Sequence, residues 1–228
     1  MGYVLLTAER GNPFFFALGS HSFRTVVENL TNDFTFTLFA GHIFRQQPQM
    51  TDDREIIKAM QENPEQGFRL LMANYKEPVY WHIRRLVVNH ADAQDAAQEA
   101  FVRIFRNFSQ YSEENSFRAL IFRIATNEAL RILVSQKSVK KLSFVDVTAD
   151  ILSTKADAFY DSSDAIAVRL QKAILHLPAK QQLAFNLRYY DELSYEEIAE
   201  VADSSAASAK MNYHLAKEKI IEYMRKND

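Results

Sequence analysis

The stretch ADSSAASAK, residues 202–210, sets small side chains ahead of a lysine, and polar or cationic residues recur downstream of it. At helical spacing Ala209, Tyr213, Ala216 and Ile220 line one narrow face. Ala207, Ser208, Lys210, Met211, His214 and Lys217 are then left on the outer and flanking surfaces. Small residues let a helix sink into a groove of duplex DNA, and lysines meet phosphate. Just upstream, Ser194-Tyr195-Glu196-Glu197 has the pattern of a capping box and predicts a short helix over SYEEIAEVA. Asp203 and Ser204 suit a tight turn, because aspartate tolerates the left-handed backbone region, and Ser205 suits the N-cap of the next helix. Two short helices joined in this way form a helix-turn-helix arrangement, although a helical hairpin that only packs has the same outline.

Other chemistry is poorly served. The sequence has no cysteine, so disulfides, thiolate metal sites and cysteine nucleophiles are excluded, and a reducing, cytoplasmic setting fits best. His21, His42, His82, His90, His176 and His214 are scattered without the spacing of a metal motif. Glu196 and Glu197 are adjacent and diverge around a helix start, where the dipole favours them. No acid/base pair, nucleophile arrangement or phosphate-cradling glycine loop stands out, so neither an enzyme nor a cofactor is expected.

The elements that must position these residues read as helices. A chain of 228 residues makes one large domain or two small ones. Residues 1–49 differ from the rest: they hold no lysine, four of the five glycines and many phenylalanines. Their apolar runs are too short to span a bilayer, and no secretory signal pattern is present. TDDREIIKAM follows Met50 and reads as an ordinary helical start. The expectation is that translation begins at Met50, with 1–49 an atypical extension that is not native or is poorly ordered.

Beyond Gly67 there is no glycine, and none of the residues between Pro78 and Pro178 is proline, so the body should be all-α. In residues 92–108, Ala93, Ala96, Ala97, Ala100, Phe101, Ile104, Phe105 and Phe108 form one apolar stripe, with Asp95, Gln98, Glu99, Arg103 and Arg106 opposite. Residues 116–136 continue with Phe117, Leu120, Ile121 and Ile124 on one side and Arg123, Thr126 and Asn127 on another. Residues 138–164 lose periodicity and read as a flexible linker containing at most a short helix. A fresh amphipathic pattern (Ile166, Leu170, Ala173, Ile174, Leu177) then runs up to Pro178 and opens a second domain. Net charge is only −2, but 116–141 is basic and 191–203 is acidic, so local fields matter more than the total.

DAQDAAQEAFVRIFRNF with SFRALIFRIATNEALRIL resembles region 2 of the sigma-70 family, and LPAKQQLAFNLRYYDELSYEEIAEVADSSAASAKMNYHLAKEKI resembles its region 4. With no obvious region between them, the chain is most similar to the extracytoplasmic-function (ECF) group of RNA polymerase sigma factors, over about residues 55–226. The resemblance implies two small helical domains, residues 50–137 and 165–228, joined by the 138–164 linker. It implies a non-enzymatic subunit that binds core RNA polymerase, directs it to promoter DNA and helps melt it, and that an anti-sigma factor holds in check. No membrane insertion is implied.

Residue by residue, the resemblance puts Asp95, Gln98 and Glu99 on the helix that docks on the polymerase, with Arg103 and Arg106 nearby. Arg123, Thr126 and Asn127 fall in the part that captures the melted minus-ten element. Ser205, Ser208, Lys210, Met211, Asn212, His214 and Lys217 fall on the helix that reads the minus-thirty-five element, Lys210 and Lys217 being the phosphate partners. The chain departs from the family at Leu120 and Phe122, where tryptophan and tyrosine are common, which leaves Phe117 and Phe122 to the core. It departs again at Asp203, in place of a turn glycine, and at Asn212, in place of an arginine. The rival readings are a helix-turn-helix regulator that never joins the polymerase, and a helical adaptor that binds only proteins.

Overall fold

The computed structural model describes residues 51–87, 89–112, 114–136 and 165–227, and among them eight α-helices and one 3-10 turn, with no strand. The 1–49 extension, the start at Met50 and the linker with its short helix lie outside the described residues.

Helix α1 (Asp53–Glu62) starts where the Asp52 carboxylate accepts from the Arg54 amide at 3.2 Å. Helix α2 (Pro64–Val87) begins on a proline, which loses nothing at a first position whose N–H has no partner within the helix. The two helices meet closely at Gly67, where a Cβ would stand 2.3 Å from the Met60 nitrogen and 2.7 Å from the Ala59 carbonyl carbon. Only glycine fits there. Helix α3 (His90–Asn107) is capped by Asn89, whose side chain accepts from the Asp92 amide at 3.1 Å. After the 3-10 turn Phe108–Gln110, helix α4 (Phe117–Gln136) is capped by Ser116, whose hydroxyl accepts from the Ala119 amide at 3.2 Å.

The alanines of α3 account for how these helices pack. Ala93, Ala96, Ala97 and Ala100 are buried and let α2 and α4 come close, while Phe101 and Ile104 fill the space between. Burying a side chain of the size of Phe122 or Ile121, both in this core, stabilises the fold by about 1.5–3 kcal/mol. Phe117 and Phe122 are core residues, as expected. Phe105 is not: it is 43% exposed at the edge of the stripe, touching Phe68 edge-to-face at 5.2 Å.

The second group comprises α5 (Ala165–Leu175), α6 (Ala179–Tyr189), α7 (Tyr195–Ala202) and α8 (Ala206–Lys226). Leu170, Ala173, Ile174 and Leu177 are buried, and the helix stops short of Pro178. Phe185 anchors the group, stacked on Tyr189 at 4.9 Å and on Tyr213 at 6.0 Å. The two groups do not stand apart. Helix α4 packs on α7, α2 touches α6, and their apolar residues form one continuous core.

Candidate nucleic-acid interface

The helix-turn-helix forms as its sequence dictates. Ser194 Oγ accepts from the Glu197 amide at 3.1 Å, and Glu197 Oε2 accepts from the Ser194 amide at 2.8 Å, so the capping box is complete. Helix α7 ends at Asp203, whose φ of 48° and ψ of 57° are left-handed. Ser205 then caps α8, accepting from the Ser208 amide at 3.1 Å. Ala209, Tyr213, Ala216 and Ile220 are all buried, which leaves the opposite side of the helix outward.

On that outward side Ser205, Lys210 and Met211 are exposed, Met211 by 62%, and Ser208, Asn212 and His214 are half-buried. Asn212 donates to the Ser208 carbonyl at 2.9 Å, which ties its amide to its own helix. Lys217 requires a correction. It is buried, its ammonium 5.2 Å from the centre of the Tyr213 ring, because it lies one turn after Tyr213 on the packed face. Leu215, which residue type did not bring forward, is 37% exposed on the outer side.

On α4, Arg123 and Asn127 are exposed and line a groove of about 580 Å³ with Arg103, Asn107 and Tyr111. Thr126 does not share their face, which is the second correction. It is 3% exposed, and its hydroxyl donates to the Phe122 carbonyl at 2.7 Å, since i+4 spacing sets it beside Phe122 on the inner side. The opposite wall of the groove is supplied by the other helical group, through Ala199, Glu200, Asp203 and Ser204.

Helix α3 presents Asp95, Gln98 and Arg106 to solvent. Glu99 accepts from Arg103 at 3.2 Å, but Arg103 reaches further, to the buried Glu128 of α4 at 2.7 Å, and Arg131 meets the other Glu128 oxygen at 2.9 Å. Arg103 therefore braces α3 against α4, whereas Arg106 projects freely outward. Val102 and Phe105, 38% and 43% exposed, add an apolar strip to this surface that residue type had not singled out.

Between the two groups lies a buried polar cluster. Asp191, in the loop between α6 and α7, accepts from Arg85 at 2.5 Å and contacts His82 Nδ1 at 2.7 Å. His82 Nε2 is 2.9 Å from the Thr126 hydroxyl. The same hydroxyl donates to the Phe122 carbonyl, so the His82 ring is held between Asp191 on one side and Thr126 on the other. Arg85 also lies over the Tyr190 ring at 4.4 Å. Arg118 donates to the Asp191 carbonyl. Ser116 Oγ donates to Glu197 Oε1 at 2.8 Å, and the Ser116 amide donates to Glu200 at 3.3 Å. Nearby, Tyr75 donates to Asp53 at 2.6 Å, and burial pushes both groups above their ordinary values. No sequence spacing could have announced this cluster, for His82 and Asp191 are 109 residues apart. Among the described residues no group of three or more histidines or carboxylates is placed to hold a metal, and no helix is long and apolar enough to cross a membrane.

A four-helix group whose last two helices line a groove, followed by a capped helix-turn-helix, defines a two-part, all-helical protein of the helix-turn-helix class. Comparison with known families matches residues 71–139 to sigma-70 region 2 and residues 167–220 to sigma-70 region 4, together more than half of the chain. The chain belongs to the sigma-70 family of RNA polymerase sigma factors, in its ECF group. Similar curated proteins include the ECF RNA polymerase sigma factor SigW of Bacillus subtilis, 28% identical over 74% of this chain and 95% of its own length. The ECF RNA polymerase sigma-E factor of Escherichia coli is 28% identical over 75% of this chain and 93% of its own length. Among solved structures, CnrH in complex with the cytosolic domain of CnrY shares the fold, with a TM-score of 0.59 at 17% identity over 77% of this chain and 99% of that one. So does the sigma factor RpoE of Bartonella quintana, bound to the anti-sigma factor NepR, with a TM-score of 0.51 at 17% identity over 73% and 99%.

Proposed function

We infer that this chain is a specificity subunit: it binds core RNA polymerase, directs it to promoters and helps open them, doing no chemistry itself and working in the cytoplasm. The observation that carries the reading is the matched pair of regions in their family order, the second built as a capped helix-turn-helix. Residues 50–137 and 165–228 act as the two working units, with 138–164 linking them. The exposed side of α3, with Asp95, Gln98, Glu99 and Arg106 beside Val102 and Phe105, is assigned to the polymerase. Arg103 supports it through Glu128.

The groove-lining Arg123 and Asn127 are assigned to the melted minus-ten strand, the guanidinium for backbone phosphate and the amide for an unstacked base, with Thr126 positioning them from beneath. The outward side of α8, from Ser205 through Lys210, Met211 and Asn212 to His214, is assigned to the minus-thirty-five duplex. An anti-sigma partner is in keeping with the fold neighbour RpoE, which was solved bound to the anti-sigma factor NepR.

The test mixes the full chain with core polymerase and follows co-elution and promoter-dependent transcription. A stable complex that initiates at a shared two-part promoter is expected. DNA binding without any polymerase complex would replace this reading with that of a free-standing regulator. In the complex, Asn127→Ala should leave co-elution intact while lowering open-complex formation by roughly 5- to 150-fold, the loss of about 1–3 kcal/mol that a stacked or bonded base supplies.

A further inference from the structure

We propose that α8 reads its duplex through methyl groups: Met211 and Leu215 form an apolar pair that packs on thymine methyls in the major groove of the minus-thirty-five element. The proposal rests on the assignment of α8 to that duplex, and it makes Leu215, which its residue type did not bring forward, a specificity-determining residue.

Among the described residues four large apolar side chains are exposed, and Met211 and Leu215 are two of them, at 62% and 37%. They lie one turn apart on the second helix of the helix-turn-helix, the helix that enters the major groove in this class. Met211 is two residues past the buried Ala209, about 200° round the helix, so it stands at the middle of the outward side. Ala207, one turn earlier, is exposed and small, and lets base edges come close to the pair. The apolar groups that DNA presents in its major groove are the thymine methyls, and apolar side chains are what meet them.

The polar residues around the pair are poorly placed to read bases in its stead. The Asn212 amide nitrogen donates to the Ser208 carbonyl at 2.9 Å, and a carbonyl can only accept, so the direction of the amide is fixed. With its nitrogen turned to Ser208, Asn212 cannot make the paired contact to adenine, in which amide nitrogen and oxygen both face the base. Lys210 is one residue from Met211, about 100° round the helix, which sets its ammonium on the flank where phosphate runs. Beyond Leu215 the outward side carries Glu218 and Glu222, exposed carboxylates that phosphate repels, so base contact ends at Leu215. Four residues of helix rise about 6 Å, close to two base-pair steps. The pair therefore selects an element with thymines no more than about two steps apart.

The test uses the full chain joined to core polymerase. A duplex library randomised across both promoter elements is selected on this holoenzyme, and the best-bound duplex is remade with deoxyuridine for thymidine in the upstream element alone. That exchange removes methyl groups and leaves every hydrogen-bonding group of the bases in place. Wild-type holoenzyme should hold the remade duplex more weakly by about fourfold for each methyl that is packed, the effect of burying one group of that size. Met211→Ala and Leu215→Ala, both at exposed positions, should each lose part of that penalty, and the double variant nearly all of it.

Equal affinity of the wild type for the two duplexes would overturn the proposal. So would a penalty that survives intact in the double variant, since it would then belong to the shape of the DNA. An upstream element selected without thymine counts against it in the same way. Loss of polymerase co-elution in the alanine variants would assign the apolar pair to the polymerase instead, and that too overturns it. A wild-type holoenzyme that transcribes yet ignores the methyl groups defeats the methyl contact alone, whereas a chain that never joins the polymerase defeats the sigma-factor reading and this proposal with it.

Discussion

Lys210 and Lys217 carry the same charge on one helix and do different work. Lys210 is exposed beside Met211, while Lys217 runs its aliphatic stem into the packed face and ends 5.2 Å from the Tyr213 ring centre. In holoenzyme, Lys210→Ala should weaken promoter binding and flatten its salt dependence by about 0.9 log units per decade, the loss of one phosphate contact. Lys217→Ala should leave that slope unchanged and lower thermal stability instead; equal salt slopes for the two variants would refute the distinction. The position of Lys217 was legible in the sequence, because four residues after Tyr213 is only about 40° further round a helix. The same arithmetic places Thr126 beside Phe122. In both cases the chemical type of the side chain suggested an outward role and its register on the helix decided otherwise. His82 was illegible for a different reason: a lone histidine among apolar residues says nothing until Asp191 is folded against it.

At the scale of the element, α7 was the most legible part of the molecule because its signals are local. Ser194, Glu197, Asp203 and Ser205 each act within a few residues, and each does what its type and position predict. What local reading could not show is that Glu197 has two tasks. One carboxylate oxygen closes the capping box on the Ser194 amide, and the other accepts from Ser116 of α4. The cap thus aims the glutamate at its neighbour. Ser194→Ala should cost about 1 kcal/mol, because the Glu197 amide loses the hydroxyl that accepts from it, and should also loosen the Ser116 contact by letting the first turn of α7 fray. Hydrogen exchange at the start of α4 would show it as faster exchange of the amides near Ser116 in the variant. Exchange quickened in α7 alone would mean that the two ends are independent. Gly67 is the contrasting case: its presence is visible in the sequence, but the need for it appears only where α2 lies on Met60.

For the whole molecule, the two helical groups and their order were legible from separate apolar periodicities, but their union was not. It depends on a handful of polar groups drawn from α2, α4 and the loop after α6, and such pairings carry no period. A continuous core and a buried latch make the groups one cooperative unit, even though each has apolar residues enough to pack by itself. Scanning calorimetry of the full chain should therefore give a single transition. In Asp191→Asn the Arg85 guanidinium stays buried with its counter-charge gone, a kind of break that costs about 3–5 kcal/mol. That loss falls on the junction and not on either core, so the variant should unfold in two resolved steps, the first spectroscopically quiet in helix content. Two steps already present in the wild type would mean that the junction does not couple the groups. A single step merely shifted to lower temperature in the variant would mean that the continuous apolar contact between α4 and α7, rather than the latch, holds the halves together.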